Sequence, residues 1–351
     1  MTVKAMSYEA CIAALNLEMT DRVPRTEYSA DTQWELVAVV TGIDTSVEAN
    51  RGRASHAFME AWEYCLEWST PGGHEITVRT DMGHGHYVAD GSDLRPASPC
   101  PFSSVEQALS FDPAAVFPSE LIDEIVEKCN RRWRPAQGDD PWVVTGGVYE
   151  TLFSGLICIF GWDMLLTAAG TDERRFARVI DSYVEWIAPY FEGWARSEAP
   201  VIMSHDDICW TSGPVFAPDW YRKYIFPKYK RLWRPVLEAG KKLMFTADGA
   251  YHVFFDDIVA AGAHALVMEP MSDMALFARR YGRSHAFVGN ADTRVLLLGT
   301  KRDIYNEVKR CMDIGRQYPG FIMAVGNHIP ANTPVDNALY YNEAYLELCK
   351  R

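Results

Sequence analysis

Short apolar runs alternate with amphipathic stretches of helical period through the second half of the chain. The apolar runs predict buried strands at 201–204, 242–245, 264–268, 286–288 and 321–325. The stretches between them predict helices at 218–239, 251–261, 274–281 and 301–316. A terminal helix is expected to open at Pro334, with Thr333 as its N-cap. Strands and helices that alternate at this spacing are typical of parallel βαβ units.

The first half is less regular, but it supplies three further strand candidates at 23–26, 76–79 and 142–145. Eight strands would close an α/β (β/α)₈ barrel, which we expect to form one domain over residues 1–351. Residues 51–134 are too many for one strand–helix connection, so they predict an elaborated insertion over the barrel mouth. An open doubly wound sheet is the alternative, but the glycine-rich phosphate loop that it would carry is absent from the sequence.

Composition narrows the function. The chain has 351 residues, 34 Lys and Arg against 47 Asp and Glu, and a net charge of −13. This balance disfavours nucleic acids and anionic membranes as partners. The eight cysteines are scattered without a CxxC pair, which is typical of reduced thiols in a cytoplasmic protein. We also expect no membrane span, because no run of about 18 uncharged apolar residues occurs.

Polar residues follow most of the predicted strands, at the end of a barrel where active sites lie. Asp248, Glu269 and His328 each follow an apolar strand directly. Two carboxylates and an imidazole would satisfy a divalent metal such as zinc and leave a position open, so these three are our predicted ligands. The alternative for each strand-end acid is a helix cap or a salt bridge, and Asp207 and Asp292 suit that structural role best.

Further candidates follow from the same reasoning. His84 and His86 lie in a glycine-hinged loop, which favours a lid that hydrogen-bonds substrate over a second metal site. Aromatic residues make up 13% of the chain, and some of them could wall a pocket for a flat substrate. The predicted substrate-binding residues are Tyr28, Trp34, His86, Tyr149, Asp207, Trp210, Asn290 and Asn327.

Several segments resemble the uroporphyrinogen decarboxylase superfamily, which includes the corrinoid-dependent methyltransferases. They are His205-Asp206-Asp207 with PVFAPDWYRKYIFP, FTADG at 245–249, ALVMEPMSDM, YGRSHAFVGNADTRVLLLGT and GNHIPANTPVDNALYY. They cover most of residues 140–345 in family-like order. The resemblance implies a (β/α)₈ barrel, in agreement with the pattern of strands and helices.

Departures from the family motifs favour the methyltransferase branch. Glu27 and Asp31 occur where the decarboxylase has an arginine-rich motif that grips porphyrinogen carboxylates, and Asn327 takes the place of its C-terminal histidine. The resemblance also makes Asp81 a candidate catalytic residue, because it matches the pyrrole-binding aspartate. The methyltransferases' HxCG zinc motif is not conserved either, since Thr246 and Asp248 stand at its histidine and cysteine.

Together these features predict a methyltransferase that demethylates a small methoxylated aromatic substrate. Zinc would polarise the ether oxygen, and His205 or His84 would protonate the departing phenolate. A separate corrinoid-binding protein would carry the cobalamin that accepts the methyl group, and the sequence is compatible with a homodimer. The alternatives are a tetrapyrrole decarboxylase and a non-catalytic barrel that binds a corrinoid or a small aromatic molecule.

Overall fold

The computed structural model describes residues 8–68, 74–80, 99–138 and 140–351. Its strands are β1 Leu66–Glu67, β2 Val143–Val144, β3 Gly146–Val148, β4 Val201–His205, β5 Cys209–Trp210, β6 Gly213–Pro214, β7 Lys242–Ala247, β8 Ala265–Met268, β9 Ala286–Ala291 and β10 Phe321–Val325. Its α-helices are α1 Tyr8–Leu15, α2 Trp34–Thr41, α3 Arg51–Ala61, α4 Val105–Leu109, α5 Pro113–Val116, α6 Ile122–Gln137, α7 Phe153–Thr171, α8 Glu173–Arg196, α9 Pro218–Tyr224, α10 Phe226–Glu238, α11 Phe255–Ala261, α12 Met274–Tyr281, α13 Thr293–Leu298, α14 Lys301–Gly315 and α15 Val335–Leu348.

The strands form a parallel barrel. Six of them make one sheet in the order β10-β9-β8-β7-β4-β3. Arg25 then bridges in parallel to Met323 of β10 on one side and to Tyr64 on the other. β1 pairs in parallel with β2, which continues after one residue into β3. Parallel backbone pairing therefore continues from strand to strand around a closed ring, and the predicted α/β barrel is confirmed.

Side chains inside the barrel alternate along the strands with side chains that face the helices. On β7, for example, Met244 belongs to the small interior cluster, whereas Leu243 and Phe245 pack into the main core under the helices. Helix α1 joins the interior cluster, and its Tyr8 donates a backbone N–H to the carbonyl oxygen of Pro141, just before β2. Because α1 covers the amino-terminal ends of the strands, the open mouth lies at their carboxyl ends.

The second barrel strand differs from the prediction. Residues 76–79 form no strand; β1 takes that place, and Cys65 donates its backbone N–H to Arg25 O. The segment 51–134 is therefore not wholly an insertion, since β1 lies inside it. The sequence pattern did not predict β1, because the buried residues 64–66 are few and the acidic Glu63 and Glu67 flank them. After β1 the chain contains α4, α5 and α6, and α6 packs against α8 as an ordinary barrel helix does.

Two helix predictions also need correction. The helix expected over 218–239 is divided into α9 and α10 at Ile225, because Pro227 has no N–H to continue the α9 ladder. Thr333 does not cap α15, whose first turn has no side-chain cap hydrogen bond. The strand at 321–325 and the helix at 274–281 have the predicted bounds.

Helix α7 is long and apolar enough, by length and composition alone, to cross a membrane. In the fold it is a core helix, and 67% of its most apolar stretch is buried inside the protein. Gly161 interrupts it with a φ of 65° and a ψ of 166°.

Candidate active site and metal centre

The barrel mouth gathers polar residues from the ends of neighbouring strands. His205 ends β4, Asp248 follows β7 and Glu269 follows β8. Asp207 lies two residues beyond His205, so an extended chain turns both side chains the same way. The intervening Asp206 faces the other way and belongs to the packing under the helices.

His205 is held in one orientation by its surroundings. Its side chain is 7% exposed, and its ring stacks on Tyr149 with centroids 4.2 Å apart and planes 2° from parallel. Nδ1 lies 3.0 Å from the carbonyl oxygen of Tyr149. Because a carbonyl only accepts, Nδ1 carries a proton, and in the neutral tautomer Nε2 has the lone pair. Nε2 lies 3.4 Å from Asp207 Oδ1.

His205, Asp207 and Asp248 form a group that could hold a metal ion. One ligand-capable atom from each of them lies within 4.8 Å of the other two. Within the part of the chain that the structure describes, this is the one group of three or more His, Cys, Asp or Glu side chains arranged in this way. A nitrogen and carboxylate oxygens suit zinc and similar divalent cations.

The electrostatics of this group favour a cation. Asp248 is open to solvent at the mouth, but protein surrounds it on its other sides, and this burial raises the pKa of its carboxyl well above the usual range. Asp207 and Glu269 raise that pKa further by repulsion, since like charges disfavour ionisation. Asp207 Oδ1 also accepts the backbone N–H of Asp248 at 2.9 Å, which keeps the two residues together.

The predicted ligand set shares only Asp248 with this group. Glu269 accepts the backbone N–H of Gly249 at 2.5 Å and a hydrogen bond from the Asn327 amide. His328 is exposed at the mouth, and its ring meets the edge of Tyr28 with centroids 4.3 Å apart. Glu269 and His328 therefore lie beside the group and are not part of it. Each is next to a residue that contacts Asp248 or follows it, namely Gly249 and Asn327.

Two phenols adjoin the group. Tyr149 donates a hydrogen bond to Tyr28, and burial raises the pKa of both hydroxyls. The carboxylates of Asp207 and Asp248 raise both pKa values further, because they oppose a second negative charge. Both phenols thus stay protonated and can donate.

Asp206 has a different function from its two neighbours. It is fully buried and accepts the backbone N–H groups of Phe153 and Ser154 at 2.9 and 2.6 Å. The Tyr229 hydroxyl donates to it as well. Asp206 thus fixes the start of α7 behind the site.

Three of the predicted substrate-binding residues, Trp34, Trp210 and Asn290, make contacts within the protein. Trp34 lies on α2, and the Arg51 guanidinium carbon lies over its ring, 4.8 Å from the ring centroid. Trp210 is 48% exposed and packs edge-on against Trp162. The Asn290 amide donates to the carbonyl oxygens of Glu269 and Ser272.

Three predicted residues, Asp81, His84 and His86, lie outside the described residues. The structural role expected for Asp292 is confirmed, because it caps α13 and pairs with Arg294.

A cavity of about 610 Å³ opens beside the group. Its lining includes Glu269, Asn327 and His328, and Met271, Leu297 and Ile329 are among its apolar residues. This volume lies in the range of about 300–1,000 Å³ that is usual for small-molecule sites.

Glu27 has a structural function inside the protein. It is 1% exposed and pairs with the fully buried Arg25 at 2.7 Å. Tyr341 and the backbone N–H of Val325 also donate to its carboxylate. Arg25 is therefore committed to this internal pair and does not reach a ligand at the mouth.

Sequence reasoning missed Asp207 as a candidate ligand. The signal was available, because His205 and Asp207 share one face of an extended segment at i and i+2. None of the eight cysteines belongs to a metal-capable group in the described ranges.

Comparison with known proteins gives the family. The family model of uroporphyrinogen decarboxylase (URO-D) matches residues 151–347. The uroporphyrinogen decarboxylase of Syntrophotalea carbinolica is 27% identical over 167 residues, which are 48% of this chain and 47% of that protein. That of Geobacter sulfurreducens is 24% identical over 237 residues, 67% of this chain and 68% of that protein. The chain thus spans about half the length of the first of these curated relatives.

A solved structure resembles the whole fold. A methyltransferase from Methanosarcina mazei superposes with a TM-score of 0.64 at 16% identity, over 97% of this chain and 99% of that one. This likeness establishes the fold alone. The family model covers more than half of the chain, from α7 to α15. The chain belongs to the uroporphyrinogen decarboxylase family.

Proposed function

We propose that this protein is a methyltransferase that demethylates a small methoxylated aromatic compound and passes the methyl group to a corrinoid carried by a separate protein. The observation that carries the proposal is the group of His205, Asp207 and Asp248 at the open end of the barrel. A divalent cation such as zinc, when bound there, supplies a Lewis acid that polarises an ether oxygen.

The residues present fit such a cation. The Tyr149 carbonyl orients the His205 ring with its Nε2 lone pair towards Asp207, which is the usual arrangement of a metal-ligating histidine. The crowding of Asp207 against Asp248 is relieved by positive charge. Thr246 Oγ1, two residues before Asp248 on β7, is buried without a hydrogen-bond partner among the described residues.

The phenols stabilise the oxygen that demethylation leaves behind. When the bond between the methyl carbon and the ether oxygen breaks, the bonding pair stays on oxygen, and the corrinoid of the separate protein would accept the methyl group. Tyr28, to which Tyr149 donates, then donates a hydrogen bond to this oxygen, which takes its proton from solvent at the open mouth. His205 is better suited to holding the cation than to the acid role first expected of it.

Decarboxylation of a tetrapyrrole is the second candidate, and the family match favours it. The charges at the mouth oppose it. A polycarboxylate would meet Asp207, Asp248 and Glu269, while Arg294 on the cavity wall is already paired with Asp292 at 2.6 Å. Each substrate carboxylate would lose solvation without gaining a charged partner from these residues.

Metal analysis and two activity assays on untagged protein test the proposal. We expect wild type to hold a stoichiometric divalent metal and to transfer methyl from 2-methoxyphenol to free cob(I)alamin. Asp248→Asn and His205→Gln should lose the metal, and their transfer rates should fall by more than about 100-fold. Asp303→Asn, which removes a surface carboxylate that caps α14, is the matched control and should keep both. A metal-free wild type that decarboxylates uroporphyrinogen would refute the proposal.

A further inference from the structure

A second, smaller cavity lies at the mouth between residues 25–31, here called the Arg25 segment, and β1. Its volume is about 210 Å³, below the range of sites that enclose a whole drug-sized ligand. Its lining comprises Glu27, Tyr28, Ser29, Asp31, Met59, Tyr64, Glu67, Trp68 and His328. Ser29 and His328 border the larger cavity as well, so the two spaces adjoin. The smaller cavity is therefore of a size for one end of a molecule that occupies the larger one.

Three residues of this lining each carry a polar atom that is buried without a hydrogen-bond partner in the described ranges: Tyr64 OH, Trp68 Nε1 and Ser29 Oγ. The Tyr64 side chain is 2% exposed. A buried donor left unpaired costs about 1–3 kcal/mol, so such groups normally have a partner. The indole N–H only donates, and the missing partner must therefore bring an acceptor oxygen.

The carboxylates of the lining restrict what that partner is. Glu67 is largely buried and already accepts the Trp142 indole N–H at 3.0 Å, and Asp31 accepts the Ser55 hydroxyl at 2.8 Å. Glu27 is held by Arg25. An anionic group would be repelled here, whereas an O–H group could donate to Glu67 or Asp31. A hydroxyl offers both one donor and two acceptor lone pairs.

We infer, on the basis of the methyltransferase function proposed above, that the smaller cavity is a hydroxyl subsite formed by Tyr64, Trp68 and Glu67. The substrate is then a neutral phenolic methyl ether, with a free hydroxyl near its methoxyl group, and not a methoxylated carboxylic acid. Its hydroxyl accepts from Tyr64 and Trp68 and donates to a carboxylate. Its ring lies beside Tyr28, which meets the Trp68 ring edge-on with centroids 5.8 Å apart.

Calorimetric titration of the metal-loaded protein, without corrinoid, tests this subsite. The probes are 2-methoxyphenol, anisole, which lacks the hydroxyl, and 2-methoxybenzoate, which has a carboxylate in its place. We expect 2-methoxyphenol to bind about three- to tenfold more tightly than anisole, as one net hydrogen bond allows, and the benzoate to bind least. Equal affinity for the first two, tightest binding of the benzoate, or no saturable binding of 2-methoxyphenol would overturn the inference.

Conservative variants separate the subsite from a purely structural role. Tyr64→Phe and Trp68→Phe should each remove most of the preference for 2-methoxyphenol and leave anisole binding unchanged. Ligand-free Tyr64→Phe should melt at or above the wild-type temperature, because it removes a stranded hydroxyl. Trp220→Phe, which alters a tryptophan stacked on Phe216 outside both cavities, is the matched control and should keep the preference. A preference that survives both cavity variants would refute the subsite.

The binding readout also distinguishes this inference from the proposed reaction. If 2-methoxyphenol shows the expected preference but no methyl group is transferred, the reaction is wrong and the hydroxyl subsite stands. If methyl transfer occurs and anisole binds as well as 2-methoxyphenol, the reaction stands and the subsite is wrong.

Discussion

Replacing Asp206 by Ala tests whether the three consecutive residues His205, Asp206 and Asp207 have separate functions. Asp206 accepts hydrogen bonds from the backbone of Phe153 and Ser154, and its own side chain is inaccessible to solvent. We expect Asp206→Ala to destabilise the fold, because α7 would lose the acceptor for its first N–H groups.

The magnitude follows from what the substitution leaves behind. Two buried backbone N–H groups and the Tyr229 hydroxyl lose their acceptor, and each stranded donor costs about 1–3 kcal/mol. Part of this cost is recovered, because a buried charge is removed at the same time and the hydroxyl can reorient. A net loss of about 3–5 kcal/mol is typical when one partner of a buried polar network is removed.

Equilibrium unfolding in urea measures the effect, provided that the slope against denaturant is unchanged. Asp207→Ala is the matched control, and all proteins are compared in EDTA so that loss of a bound cation does not contribute. That side chain is 18% exposed, accepts one backbone N–H from Asp248 and repels the Asp248 carboxylate, so its removal should change the free energy of unfolding by no more than about 1 kcal/mol. A loss below about 1 kcal/mol in Asp206→Ala would show that the network does not anchor α7.

Three further predictions concern the same barrel. Arg25→Met removes the counter-ion of buried Glu27, and urea unfolding should show a loss of about 3–5 kcal/mol; an unchanged midpoint would contradict the buried pair. Burial and neighbouring carboxylates raise the pKa of Asp248, so metal-free wild type is fully stabilised only below the unfolded pKa of about 3.9 and loses that stability as pH rises through the folded pKa. In EDTA, Asp248→Asn should therefore melt above wild type at neutral pH, with no difference near pH 4; a lower melting temperature at neutral pH would refute this. Gly249→Ala would place its Cβ 2.4 Å from a carbonyl oxygen of β5 at a φ of 79°, and should lower both Tm and metal content, whereas Gly170→Ala, with open space around it, should not.

The fold was largely predictable because most barrel strands are continuous apolar runs. The run at 321–325 is buried at every position, and such runs stand out from the helices on either side. β1 was not predicted because the apolar stretch around it, residues 64–66, is short and lies between Glu63 and Glu67. Its strand character comes from pairing with the Arg25 segment and with β2, and contacts between distant segments cannot be read from one sequence.

The site was predictable in part for a related reason. The carboxyl ends of parallel strands meet at one edge, so residues that directly follow apolar strands were sound candidates. His205 and Asp248 belong to the metal-capable group, and Glu269 and Asn327 adjoin it. The hydroxyl subsite that we infer had no such signal, because Tyr64 and Trp68 flank β1, a strand that the sequence pattern did not predict.

Counting outward from the barrel interior explains why neighbouring acids differ. Met244 faces the interior, so Asp248, four residues on, turns towards the mouth. Val267 is also interior, and Glu269 follows it on the same side. By the same count His205 and Asp207 face inward, and Asp206 faces the helices, where it anchors α7. The positions of buried apolar residues within each strand thus indicate which strand-end acids can meet a ligand and which are confined to the packing behind it.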